Sequence, residues 1–363
     1  MADPAQTVAE ATHSSLETRL PALDSVRAFA VIGVIASHAG LFNLGWLGVD
    51  VFFGLSGYLI TGILLDAKAA NPTPREYFVA FYMRRALRIL PLAWAVALIA
   101  AITERQWSGL LWYIFYFVNW LPVQPPPDVL GHYWSLAVEE QFYLVWPAVV
   151  LFTPRRLLPS ITIGLILLDV VCRLTFSMWP PSFANQQWLG LATFARADTL
   201  AVGALLAQIE RDRGLPTRGI AWAWIAVAVA TILIEVIHKL EWLGVAPLLT
   251  YNFKWPTIAA GVGAGLLIVL VRPPRFMLWP WLRWIGQISY GIYVIHALIS
   301  RPLHARFDSP VVIFVVQLGV TIMLAAISWY FFEAPILSQK RRWPMPSVRR
   351  TKRRGQTEPA VAG

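Results

Sequence analysis

The chain has 363 residues, of which 57% are hydrophobic and only 14% charged, with 18 tryptophans and a mean hydropathy of +0.58, a balance that excludes an ordinary soluble globular enzyme. The formal charge of +10 comes largely from residues 338–363, which hold eight Lys/Arg against one Glu; a basic tail of this kind suits anionic lipid and topology control, and no basic groove with interleaved aromatics supports a nucleic-acid partner. Cys172 is the sole cysteine, which excludes an intrachain disulfide and a cysteine-based metal cluster.

Residues 1–20, "MADPAQTVAEATHSSLETRL", are polar and lack the basic and apolar regions of a secretory signal, so they are expected to form a cytosolic N-terminal segment. Apolar runs long enough to cross a bilayer follow near 22–43, 48–66, 88–103, 133–153, 157–176, 193–209, 220–238, 256–271, 284–300 and 311–333. The fold expected is an all-α, polytopic membrane bundle of about ten transmembrane helices. A short aromatic run at 111–122 is the alternative eleventh. With the N-terminus inside, ten spans put 22 of the 30 Lys/Arg on the inner side and six in outer loops; an eleventh would leave 11 inside and 17 outside. The positive-inside rule selects ten, with both termini cytosolic. One membrane domain over 21–337 and a disordered basic cytosolic tail over 338–363 follow.

Ionisable groups inside a bilayer are costly and mark function by default. The first run, "LDSVRAFAVIGVIASH", carries Arg27 and, eleven residues on, His38. Eleven residues is close to three helical turns, so both side chains share a face, about 16 Å apart along the axis. Asp24 lies one turn below Arg27. The second run places Asp50 at the expected depth of His38, with Ser56 about two turns deeper. "GHYWSLAVEEQFYLVWP" brings Glu139 and Glu140 into the outer half, "FARADTLAVG" adds Arg196 and Asp198, and "SYGIYVIHALI" adds His296. These groups are expected to converge on one outer layer, where a histidine beside carboxylates could take a proton from a hydroxyl or carry an acyl group; a proton relay would use the same groups. The structural alternative is a snorkelling arginine and a histidine bonded to a neighbouring helix. No HExxH-type spacing or cysteine partner is present, and no metal site is expected.

At the other end, "YMRRALRILP" sets Arg84, Arg85 and Arg88 at the inner boundary, with Arg85 and Arg88 on one helix face. They read either as a positive-inside anchor or as an anion clamp, since the planar guanidinium fork suits phosphate. A transporter lined by the same charges and a non-catalytic partner of polysaccharide synthesis are the competing classes.

In their order, "LDSVRAFAVIGVIASH", "GVDVFFGLSGYLI", "FYMRRALRILP", "HYWSLAVEEQFYLVWP", "RADTLAVGALLA", "SYGIYVIH" and "FFEAP" resemble the acyltransferase-3 family of integral membrane acyltransferases, over roughly residues 20–337. The resemblance implies a ten-helix domain of the cytoplasmic (inner) membrane that takes acyl-CoA, usually acetyl-CoA, as donor substrate, with no permanently bound cofactor, and O-acylates a carbohydrate acceptor. It implies His38 as general base or acyl carrier, with Asp50 or Glu139 orienting it, and Arg27, Arg85 and Arg88 on the donor. Ser56, Glu140, Arg196, Asp198, Tyr290 and His296, from the same blocks, complete the candidate set as substrate contacts. Glu333 and Pro335 fall on the family's Glu-x-Pro, where a structural role is expected. Relatives with a soluble hydrolase-like domain lead to the expectation of a standalone form here, working directly or with envelope-polysaccharide biosynthesis proteins. Small natural products such as macrolides are the alternative acceptors.

Overall fold

The computed structural model describes residues 4–121, 128–177, 191–216, 220–242, Gly244 and 247–346. They form helices and connecting turns, with no β-strand among the described residues. In chain order the α-helices are α1 (Pro4–His38), α2 (Leu47–Lys68), α3 (Pro74–Glu104), α4 (Leu110–Ile114), α5 (Tyr133–Phe152), α6 (Leu158–Ser177), α7 (Asp198–Arg213), α8 (Ile220–Trp242), α9 (Pro247–Val271), α10 (Pro280–Gln287), α11 (Ser289–His304), α12 (Pro310–Ser328) and α13 (Ala334–Ser338). Seven stretches, in α2, α3, α5, α6, α8, α9 and from α12 onward, are long and apolar enough to cross a membrane. This is a multi-pass helical membrane protein.

The other three expected spans are not among these seven, and polar residues or a break interrupt each of them. The first is the C-terminal half of α1, which carries the Asp24–Arg27 pair. The sixth begins only at Asp198 and buries Asp198, Thr199 and Gln208 along with its small residues. The ninth is broken at Ile288, whose φ of −91° and ψ of 3° separate α10 from α11. The aromatic run near 111–122 makes only the five-residue α4 and a 3-10 turn at Val118–Trp120, too short to span.

Close helix contact depends on small residues, as membrane packing requires. A Cβ on Gly57 would sit 1.9 Å from the Leu200 carbonyl oxygen, and one on Gly203 would sit 2.0 Å from that of Gly54. The α2–α7 crossing is therefore backbone on backbone, and it fixes the rotation of α2 that aims Ser56 and Asp50. α3 starts at a capping box: Thr73 accepts from the Glu76 amide, Glu76 accepts from the Thr73 amide, and Pro74 occupies the first turn. At the chain's far end α12 runs into a π-turn at Trp329–Glu333, then α13 and a 3-10 turn at Gln339–Arg342. The basic tail expected to be disordered from 338 thus starts with folded chain; its remainder, 347–363, lies outside the described residues.

Candidate active site

A cavity of about 330 Å³ opens between α1, α2, α3, α5, α11 and the chain after α13. Its floor is basic: Arg27 from α1, Arg84, Arg85 and Arg88 from α3, and Lys340 from the 3-10 turn. Two of these cations are held by carboxylates. Arg27 donates to Asp24 at 2.6 Å, and Arg88 meets Glu333, on the π-turn, at 3.4 Å. Arg88 is held further by the Gln287 carbonyl and lies over the rings of Tyr290 and Trp329, each 5.4 Å away. Arg85 instead faces the Tyr143 ring at 5.3 Å. Among the described residues no carboxylate ion-pairs with Arg84, Arg85 or Lys340.

The cavity's upper wall carries Ser56, Glu139, Ser135 and Tyr293. Ser56 donates to Glu139 at 2.6 Å, joining the second and fifth expected spans. Ser135 and the Tyr293 hydroxyl share a 2.5 Å hydrogen bond, and Tyr293 also bonds the His132 carbonyl. From there three histidines continue toward the end of α1: His132 packs 4.9 Å from His296, and His296 packs 4.8 Å from His38, ring centre to ring centre. His132 and His296 are buried, whereas His38 is exposed.

Tautomers follow from the backbone partners, because a carbonyl only accepts. His296 Nδ1 contacts the Tyr293 carbonyl at 2.5 Å and so carries its proton, whereas His132 Nε2 contacts the Val294 carbonyl at 3.2 Å and the same ring also bonds the Val129 backbone. Among the described residues, Nε2 of His296 is a buried acceptor without a hydrogen-bond partner. The three rings do not form a group that could hold a metal ion.

The expected single layer of histidine and carboxylates divides into separate groups. Asp50 is buried against Arg196 at 2.8 Å, and the Arg196 guanidinium stacks on Trp255 at 3.7 Å. Asp198 is paired with Arg173 at 2.9 Å. His38, placed by sequence beside Asp50, has no carboxylate partner among the described residues, and Asp50 does not orient it. The physical reason is that Arg196 and Arg173 outbid a neutral imidazole for the buried carboxylates. Glu139 lies on the cavity, bonded to Ser56 and apart from His38; Glu140 does not line the cavity. Arg27, Arg85, Arg88, Ser56 and Tyr290 all line it, and the Tyr290 hydroxyl donates to the Ile89 carbonyl. His296 does meet His38, through its ring.

Sequence reasoning missed His132, Ser135, Tyr293 and Lys340. The first two stand in the HYWSL block, and Tyr293 is one turn from His296; that spacing was the available signal. Lys340 gave none, because a basic residue after a final helix reads as a tail.

A helical membrane protein with an arginine-floored cavity and, packed behind its Tyr293 wall and outside its lining, a cluster of three histidines is the class these features define. The chain belongs to the acyltransferase-3 family: the acyltransferase domain matches residues 20–333. Among curated proteins it is similar to YrhL of Bacillus subtilis, 30% identical over 88% of this chain and 55% of YrhL. It is 29% identical to the peptidoglycan O-acetyltransferase OatA of Listeria monocytogenes, over 87% of this chain and 56% of OatA. It is 28% identical to the O-acetyltransferase OatA of Staphylococcus aureus, over 87% of this chain and 57% of that protein. The chain thus spans little more than half the length of these relatives. No solved structure matches it.

Proposed function

We propose that the chain is a membrane O-acyltransferase that moves an acyl group, acetyl foremost, from acyl-CoA to a hydroxyl of a cell-envelope carbohydrate. The observation that carries this reading is the order of polar groups along the bundle: the arginine-floored cavity with Ser56, Glu139, Ser135 and Tyr293 on its wall, then His132, His296 and His38 in ring contact beyond the cavity lining. A donor with an anionic head and a long arm fits such an arrangement, since its phosphates offset the floor charge and its thioester reaches upward. The relatives named for peptidoglycan O-acetylation favour a cell-wall glycan as acceptor.

In this reading His38 accepts the acceptor hydroxyl proton as the oxygen attacks the thioester carbonyl. The new C–O bond forms, the C–S bond breaks, and the CoA thiolate leaves and takes up a proton. His296 packs beside His38 and holds its ring in place. In this reading the arginine floor faces the cytosol and His38 lies toward the outer face of the cytoplasmic membrane, as the positive-inside rule favours.

The test uses purified wild type and His38→Ala in detergent or nanodiscs, with radiolabelled acetyl-CoA and a peptidoglycan fraction. Acceptor-dependent label transfer by wild type, reduced at least about a thousandfold by the substitution, is expected. Full activity in a well-folded His38→Ala protein would overturn the assignment. Gradient-dependent substrate movement without CoA release would favour transport instead.

A further inference from the structure

The floor of the cavity is completed by a residue outside the family domain, which ends at residue 333. Lys340 and Met345 line the cavity together with Arg84, Arg85 and Arg88. The segment is fixed there by its backbone: Arg84 Nη1 reaches the carbonyls of Lys340 at 3.2 Å and Trp343 at 3.4 Å. Lys340 is half-buried, whereas its neighbours Arg341 and Arg342 are exposed and do not line the cavity.

The charge balance is the argument. Arg27 and Arg88 have Asp24 and Glu333, but Arg84, Arg85 and Lys340 have no carboxylate partner among the described residues. The remaining carboxylate of the lining, Glu139, is bonded to Ser56 on the upper wall, and it and Glu140 act on Arg85 through charge without an ion-pair contact. Bringing a third cation beside two unpaired arginines in a partly dehydrated cavity is unfavourable unless an anion joins them. A multiply charged anion is the chemistry that offsets this, and a compact ammonium set beside planar guanidinium forks is a phosphate-binding combination.

We propose that Lys340 is a ligand for the diphosphate of the bound donor, and that the chain at 339–345 is a wall of the donor site supplied by the segment following the family domain. The identity of the anion as the CoA diphosphate rests on the donor reading above; the anion site itself does not.

The experiment measures binding of CoA, inorganic pyrophosphate and pantetheine, which has the arm without the diphosphate, by calorimetry on the full-length protein in nanodiscs. Wild type, Lys340→Gln, Lys340→Arg and Arg341→Gln are compared. Lys340→Gln is expected to weaken both CoA and pyrophosphate about tenfold, as loss of one charge-assisted contact does, and to leave pantetheine unchanged. Lys340→Arg should recover most of the loss. Arg341→Gln, with the same change in net charge on an exposed neighbour, should stay within about twofold of wild type.

CoA and pyrophosphate binding equal in Lys340→Gln and wild type would overturn the proposal and leave the donor reading standing. Pyrophosphate binding that depends on Lys340, with no CoA binding, would uphold the anion site and remove the donor reading. Equal losses in Lys340→Gln and Arg341→Gln would reduce the effect to overall charge and overturn the proposal. No binding of either anion to wild type would overturn both.

Discussion

Arg85 and Arg88 stand three residues apart on one helix and do different work. Arg88 is tied to Glu333, to the Gln287 carbonyl and to two rings, whereas Arg85 has the face of Tyr143 and no carboxylate. Arg88→Ala should therefore lower the melting temperature in detergent by several degrees and leave Glu333 buried without its partner, while Arg85→Ala should change stability little. Arg85→Lys should raise the KM for acetyl-CoA about tenfold with kcat nearly unchanged, because an ammonium does not replace a planar fork. The buried pair of Arg173 and Asp198 makes a separate prediction: Asp198→Ala removes the shorter ion pair of a fully buried guanidinium and leaves it Asp169, at 3.9 Å, and the Ala195 carbonyl. That should cost about 3–5 kcal/mol, visible as lost folded yield in size-exclusion chromatography. The identity of these polar residues was legible in the sequence, since each interrupts an apolar run. Their partners were not, because Asp50 reaches Arg196 and not His38 through the rotation of α2 against α7, and spacing within one helix says nothing about its azimuth relative to another.

That azimuth is set at the level of the elements by glycine. At Gly57 an added methyl would meet the Leu200 carbonyl at 1.9 Å, whereas at Gly265, in α9, nothing lies within 4 Å. Gly57→Ala should cost at least about 1–3 kcal/mol through forced separation of α2 and α7. Gly265→Ala should be neutral or slightly stabilising through helix propensity. Thermal unfolding of the two variants in the same detergent distinguishes them, and similar melting temperatures would refute the backbone contact. Seven of the ten expected spans announce themselves by length and apolarity. α1, α7 and α11 do so less clearly because α7 and α11 have only 16 residues each and the three segments carry Asp24, Asp198 and the break at Ile288. The family blocks locate these helices where hydropathy is weakest.

Across the whole molecule the polar groups are ordered between two ends of the bundle. Arg27 and His38 lie on one helix, about 16 Å apart along its axis, and Lys340 reaches the Arg27 end. In a Cys172→Ser background, Phe42→Cys, on the exposed turn after α1, and Arg341→Cys should react with an impermeant maleimide from opposite faces of the membrane. The charge distribution predicts Phe42→Cys labelling from outside intact cells and Arg341→Cys only in inverted vesicles. Labelling of both from one face would break this order across depth. The π-turn at Trp329–Glu333 gives the far wall of the cavity a phase. A π-turn is an α-helix carrying one surplus residue. The wide turn absorbs that residue, so the chain downstream keeps its phase; winding the same residues as regular α-helix would swing everything downstream by about 100° and push it on about 1.5 Å. The local helix would be improved, and the 3-10 turn that bears Lys340 would face another direction. The irregularity thus works as a timing mark between the last long helix and the segment that closes the cavity.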